Sequence, residues 1–430
     1  MQAVGRRRWW TFSFGREVKI AADFHLHSRY SRATSNQLDL DLLARWARYK
    51  GIQLLGTGDC THPLWMQELK QKLRLTSGGL YEYQGVQFLL TTEVNNQFVS
   101  QGKTKRIHNL LFLPSIEAAE AVNKKLGRYG DLASDGRPLL RLTARDLVKM
   151  VLDVSPEILV VPAHAWTPHF SIFGANSGFD TVEECFQDQT KEIHCLETGL
   201  SSDPGMNWRL SRLDRFTLIS NSDSHSANRI GREANVFDCQ PSYAEIVSIL
   251  KTRDVKRFLY TIEFFPEEGK YHYDGHRLCK ARISPEEAKE HQNRCPVCGK
   301  KVTIGVMHRV EDLADRPVGY EPAKKIPFKH LVPLDQIIAE SKGVGVQSKA
   351  VEQEYLDLVQ RVGTELEILS DFPEEALRKG LSARLVEGIL RVRNAQVEIL
   401  PGYDGEYGKV NIFKEREQPA ASEKQLTLFE

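Results

Sequence analysis

The chain has 430 residues, and at that length two or three domains are expected rather than one compact core. Its 41% hydrophobic and 27% charged residues describe a folded protein rather than a disordered one, and no run of 18 apolar residues offers a transmembrane helix. The formal net charge of +1 neither demands nor excludes a nucleic-acid partner, because such binding follows how charge is distributed.

Residues 1–17 hold basic side chains but no apolar core of a signal peptide, and they read as a tail rather than a secretory leader. Seven cysteines, an odd number and widely scattered, do not make a secreted disulfide framework. Cys60, Cys185, Cys195 and Cys239 stand singly, as reduced core thiols do. A cytoplasmic, nucleoid-associated protein without a membrane partner is expected.

Residues 18–266 alternate strands and helices. Apolar or β-branched runs fall at 18–24, 52–57, 87–93, 107–113, 158–162, 193–196 and 216–220. Helical periodicity falls between them at 40–49, 116–126, 143–152, 207–213 and 243–250. This order predicts an α/β fold on a parallel sheet, open or closed into a barrel of about seven strands.

Polar residues gather at the ends of these runs: His25 and His27 after the first, Asp59 after the second, Glu93 at the end of the third. His164, Glu197, and then Asp223 with His225, follow later ones, and His108 lies at a strand start or edge. The carboxyl ends of parallel strands share one rim, so residues two hundred positions apart can meet in one pocket. Side chains two apart on a strand point the same way, so His25 and His27 can reach one metal, and Asp223 with His225 repeats that spacing. Imidazole mixed with carboxylate suits Zn²⁺, Mn²⁺ or Fe²⁺ better than Mg²⁺. Eight candidate ligands (His25, His27, Asp59, Glu93, His108, His164, Asp223 and His225) exceed the needs of one ion and predict a multinuclear site.

In this order the motifs resemble the PHP (polymerase and histidinol phosphatase) family of phosphoesterases. The resemblance implies a distorted seven-stranded β/α barrel over residues 18–266, holding two or three Zn²⁺ or Mn²⁺ ions, with Mg²⁺ an alternative for activity. Glu93 is then the bridging carboxylate, Asp223 a ligand or the residue orienting water, and His225 a ligand near the leaving oxygen. Two departures bear on the metal count: Ala33 stands where many PHP phosphatases carry another His, and Thr57-Gly58-Asp59 stands where they often read TDH.

Residues 267–329 contain Cys279 and Cys295-Pro-Val-Cys298-Gly, a knuckle whose turn aims two thiolates at one zinc. His276 mirrors the spacing as fourth ligand, with His272 and His291 as competitors, and the expected role is a structural Zn²⁺. Residues 270–329 carry thirteen Lys/Arg against eight Asp/Glu, which marks this zinc-finger module as a candidate DNA contact.

Helical periodicity resumes at 334–340, 351–362, 374–381 and 383–391, and 397–400 with 409–413 read as a terminal hairpin, together a helical domain over 330–413. Gly343-Val344-Gly345 faintly matches the hairpin of helix-hairpin-helix DNA binders, but an ordinary helix stop accounts for it better.

The whole arrangement resembles the endonuclease Q family. That resemblance implies a metal-dependent nick on the 5′ side of uracil, hypoxanthine, xanthine or an abasic site in DNA repair. The rival readings are a PHP phosphatase or 3′–5′ exonuclease acting on phosphomonoesters or DNA ends, and a DNA-binding accessory protein. Residues 414–430 read as a polar linker ending in Gln425-Leu426-Thr427-Leu428-Phe429, which looks like the bacterial sliding-clamp-binding motif. Gln425, Leu426, Leu428 and Phe429 are its candidate contacts.

Overall fold

The computed structural model describes residues 19–414; the readings made for 1–17 and for the clamp-binding motif at 425–429 lie outside the described residues. No helix among the described residues is long and apolar enough to cross a membrane.

The seven expected strands are present: β1 (Lys19–Asp23), β2 (Leu54–Gly56), β3 (Val86–Ser100), β4 (Lys103–Leu113), β5 (Leu159–Pro162), β6 (Cys195–Glu197) and β7 (Thr217–Ile219). They are joined by β8 (Ala234–Asp238), β9 (Phe258–Glu263) and β10 (Phe328–His330), which were not expected. Among the described residues the main sheet has eleven strands, while β6 and β7 form a separate parallel pair.

The sheet is mixed rather than parallel. β1, β2 and β3 run parallel, as the alternating pattern implies. β4 returns antiparallel to β3, β5 is antiparallel to β4, and β8 is antiparallel to β1. The reversal at β3–β4 has a local cause: Ser100 pairs with Lys103 across the two residues Gln101 and Gly102, at φ 52° and 70°. Two positive φ values make the tight turn whose twist matches a hairpin. As a consequence Glu93 lies inside β3 rather than at its end, and His108 lies inside β4, opposite Asn95.

The gaps between the main sheet and the β6–β7 pair are bridged mainly by side chains. Asn235 on β8 donates to the Ser220 carbonyl (2.7 Å) and accepts from the Ser220 amide (3.0 Å), while Asn221 accepts from the Phe24 amide (2.9 Å). On the other side, the Ala165 amide donates to the Glu197 carbonyl (2.9 Å). All these residues are buried, and these bonds satisfy the backbone groups of Ser220, Phe24, Ala165 and Glu197 away from water.

The helices begin where capping residues stand. Asp39 caps Leu40–Lys50, Ser115 caps Ile116–Leu126 and Thr143 caps Ala144–Leu152. The helix expected at 207–213 is instead a short helix, Pro204–Trp208, and a 3-10 turn, Ser211–Leu213. Asp203 and Pro204 start it earlier, and extended Leu210 breaks it. The helix Pro63–Lys72 was not foreseen.

Past the barrel, Asp274–His276 pairs with Ala281–Ile283, and a capping box at Ser284 and Glu287 starts the helix Pro285–Glu290. The C-terminal helices are Leu334–Lys342, Lys349–Arg361, Glu374–Gly380 and Ala383–Arg393, followed by the hairpin Glu398–Leu400 with Lys409–Asn411. Gly343, at φ 65°, ends its helix as an ordinary left-handed stop. The two halves meet at a buried ion pair: Lys50 Nζ lies 2.6 Å from Glu365, which also accepts from Tyr355 (2.7 Å) and the Leu334 amide (3.1 Å). Gly51 needs its lack of a side chain here, since a Cβ would come within 2.5 Å of Thr364 Oγ1.

Candidate metal centre

Two groups of possible metal ligands meet between the main sheet and the β6–β7 pair. His25, His27, Glu93 and Asp223 form one, Glu93, His108 and His164 the other, and within each group the ligand atoms lie within 4.8 Å of one another. Glu93 belongs to both. Its Oε2 lies 3.4 Å from Nε2 of both His25 and His27, while its Oε1 lies 2.6 Å from His108 Nδ1 and 2.9 Å from His164 Nε2. Asp223 Oδ1 is 3.0 Å from His27 Nε2 and 3.6 Å from His25 Nε2.

Asp59 and His225 are placed beside these groups, not in them. The Asp59 carboxylate is consumed by His27 Nδ1 (2.9 Å), the Ser28 amide (2.6 Å) and hydroxyl (2.7 Å), and the Ser31 hydroxyl (2.9 Å). It therefore orients His27 from behind, the usual place of a carboxylate backing a metal-binding imidazole. Glu197 does the same for His25, with both oxygens 3.0 Å from Nδ1, and also accepts from the His164 amide (2.7 Å). His225 is partly exposed, its Nδ1 donating to the Asp223 carbonyl (2.9 Å) and its ring 4.4 Å from that of His27. Ala33 takes a left-handed turn (φ 64°) in the loop after His27.

Three of these residues sit on strained backbone: Asp59, His164 and Asp223 have φ of 47°, 33° and 46°. Such conformations persist in non-glycine residues only when their surroundings enforce them, and they cluster at working sites. Buried Asp23 supplies part of that enforcement, accepting from the amides of Ser222 (3.1 Å) and Gly231 (2.9 Å). Burial pushes its carboxyl up to about 6.

The electrostatics favour cations. Burial opposes the charged form of His25, yet Glu197, Glu93 and Asp223 raise its pKa well above the ordinary value. Burial likewise opposes the charge on Glu93, yet His108, Arg137 and His25 hold it well below the ordinary carboxylate range. Nε2 of His25 is buried without a hydrogen-bond partner, although it faces two carboxylates. A metal would satisfy that nitrogen, and the mixed nitrogen and oxygen donors fit Zn²⁺ or Mn²⁺.

Sequence reading missed Arg137, whose Nη1 lies 3.1 Å from Glu93 Oε2. It stands in an irregular stretch, where no periodicity or motif marks it. Of the aromatic residues near His164, Trp166 and Phe173 are core, whereas Phe170 is only half-buried and stacks on His108 at 4.9 Å.

A second, separate group comprises His276, Cys279, Cys295 and Cys298, again within 4.8 Å of one another. His272 and His291 are not part of it. Three thiols and one imidazole are a four-donor set of the kind that closed structural zinc sites use.

A family model of the MJ0043 C-terminal domain matches residues 333–396. The uncharacterized protein YqxK of Bacillus subtilis is 29% identical over 408 residues, covering 91% of this chain and 99% of that one. The uncharacterized protein MJ0043 of Methanocaldococcus jannaschii is 30% identical over 257 residues, but the match spans only 31% of its length. The crystal structure of the lesion-specific endonuclease PfuEndoQ from Pyrococcus furiosus has a TM-score of 0.83 at 31% identity, covering 93% of this chain and 96% of that one. An endonuclease Q bound to a 27-mer duplex with an abasic lesion at its active site gives 0.82 at 31% identity, covering 94% and 99%. Similarity of this extent, over barrel, cysteine-bearing module and helical region alike, shows that the chain belongs to the endonuclease Q family of DNA-cleaving hydrolases.

Proposed function

We propose that the chain is a metal-dependent DNA repair endonuclease that nicks the phosphodiester on the 5′ side of a deaminated base or an abasic site. Uracil, hypoxanthine and xanthine are the bases in question. The observation that carries this reading is Glu93, one buried carboxylate shared by two ligand groups. His25, His27, Glu93 and Asp223 would hold one ion and Glu93, His108 and His164 the other. Two such ions supply charge neutralisation and activation of water for phosphoryl hydrolysis.

The chain's own residues do the rest. Asp59 and Glu197 fix the orientation of His27 and His25, so that Nε2 of each faces Glu93. Asp223, with Oδ1 beside His27, would be a ligand or the residue that orients the attacking water. His225 donates through Nδ1 to the Asp223 carbonyl, which leaves Nε2 as its basic atom. Burial first, then the neighbouring His27, lowers its pKa, and in this reading His225 is a further ligand near the leaving oxygen. Arg137 donates to Glu93 through Nη1 and would add its positive charge, beside the ligand groups, to the binding of a phosphate. The terminal QLTLF would recruit the enzyme to the sliding clamp.

The test is cleavage of an end-labelled, end-blocked duplex carrying one uracil, hypoxanthine or abasic site, with Mn²⁺, Mg²⁺ or Zn²⁺. A single lesion-dependent nick leaving a 3′-hydroxyl and a 5′-phosphate, absent with Asp223→Asn, is expected. Activity confined to free ends or phosphomonoesters would sink the reading.

A further inference from the structure

The cysteine-bearing module has a feature that its own packing does not use. Its small core consists of Ile283, Ala288, Cys295 and Val302. Two turns, 276–279 and 295–298, bring their ligands to one point. In each turn the residue just before the last ligand is a branched aliphatic, Leu278 in one and Val297 in the other. Neither joins the core; they are 84% and 69% exposed. A single exposed aliphatic is ordinary. Here both directly precede cysteines whose Sγ atoms lie within 4.8 Å of each other, and this end of the module is its tip.

The tip is ringed by positive charge. Arg277, Lys280, Arg294 and Lys300 are exposed, and each lies within two residues of a ligand. Two acids reach this ring, both at Arg277: Asp404 accepts from its amide (2.6 Å) and Glu406 Oε1 lies 4.0 Å from its Nε, while Glu286, Glu287 and Glu290 belong to the helix Pro285–Glu290 and Asp274 is buried against His308. The module is also fastened to the metal rim. The helix Val306–Leu313, which carries His308, sends Arg309 to the carbonyls of Phe173 (3.2 Å) and Phe179 (3.0 Å), in the loop following His164.

We propose that Leu278 and Val297 form a wedge that enters a groove of duplex DNA and lodges against a base step, while Arg277, Lys280, Arg294 and Lys300 hold the flanking phosphates. The inference rests on the DNA reading above and adds to it the surface that distorts the duplex. Apolar side chains inserted between base steps, with basic residues beside them, are how groove-binding proteins part stacked bases. Charge complementarity selects this occupant: beside the apolar tip, Lys280, Arg294 and Lys300 add to Arg277, whose charge Glu406 partly offsets, and that surplus matches a polyanion with apolar base faces better than a neutral protein surface.

The test uses the full-length, zinc-loaded protein in an Asp223→Asn background, so that the duplex stays intact. The duplex carries one abasic site with 2-aminopurine beside it; anisotropy reports affinity and fluorescence reports unstacking. Leu278→Ser/Val297→Ser is expected to keep one zinc per chain and an unchanged Tm. It should bind DNA roughly tenfold more weakly, a loss consistent with two aliphatic side chains partly buried on binding. The fluorescence rise should vanish while the salt dependence of binding stays the same. Leu278→Met/Val297→Ile should restore both signals. Arg277→Gln/Lys300→Gln should flatten the salt dependence and keep the fluorescence rise. Wild-type affinity and unstacking in the serine variant, or failure of the Met/Ile variant to restore them, would overturn the wedge. If wild-type protein nicks a lesion duplex and the serine variant unstacks normally, only the wedge falls. If wild-type protein binds no duplex at all, the DNA reading falls with it.

Discussion

Glu197→Gln tests whether the carboxylates behind the imidazoles tune the metal centre. The side chain is fully buried; its two oxygens face His25 Nδ1 at 3.0 Å and also accept from the His164 amide at 2.7 Å and Asn221 at 2.8 Å. The amide has almost the same shape but no charge, and only one of its two atoms accepts. A charge-assisted hydrogen bond contributes about 1.5–3 kcal/mol. Its loss corresponds to a ten- to hundredfold weaker metal affinity, the usual range for a partner of this kind. Competition between the protein and a fluorescent chelator for Mn²⁺ measures this directly. The variant should bind Mn²⁺ in that weaker range and recover most of its nicking rate when metal is saturating. Unchanged Mn²⁺ affinity in a folded variant would refute the claim that Glu197 orients His25 for metal.

Other consequences follow from the same structure. Glu93→Gln should weaken both metal sites together, so metal analysis should find both ions reduced, whereas His108→Ala should deplete one. Lys50→Met strands Glu365 in a buried site where the pair is 3% and 5% exposed, and a cost of about 3–5 kcal/mol is expected by chemical denaturation. Glu263 is buried and its pKa is pushed up to about 8, by burial above all. The unfolded chain ionises this group near pH 4.5 while the folded chain keeps its proton, so its contribution to stability falls as pH rises from there to about 8. Glu263→Gln should therefore be stabilising at pH 8 relative to wild type and closer to neutral at pH 5, as read by Tm. Deleting residues 425–430 should leave nicking of naked DNA intact and abolish co-elution with a bacterial sliding clamp.

Much of the metal centre was legible because its geometry is local. The spacing His25–His27 and the polar residues after apolar runs need only the period of a strand and the convergence of strand ends. What stayed hidden depends on contacts across the fold. Asp59 reads as a ligand in the sequence; that its oxygens face Ser28, Ser31 and Nδ1 of His27 depends on the loop after β1. Arg137 reaches Glu93 from an irregular stretch 44 residues away, and no local pattern encodes that approach. The hairpin between β3 and β4 was missed because a parallel crossover was expected, although Gln101-Gly102 supplies the tight turn. Most of the C-terminal helices were readable from periodicity alone, yet their attachment through Lys50 and Glu365 was not.

The central claim is that this chain cuts within DNA strands at lesions. A covalently closed circular duplex with one uracil has no ends, so an exonuclease or phosphomonoesterase cannot begin on it. The wild-type protein with Mn²⁺ should convert this circle to the nicked form and leave the undamaged circle closed, and Asp223→Asn should lose the activity. A uracil circle that stays closed while linear ends are degraded would contradict it.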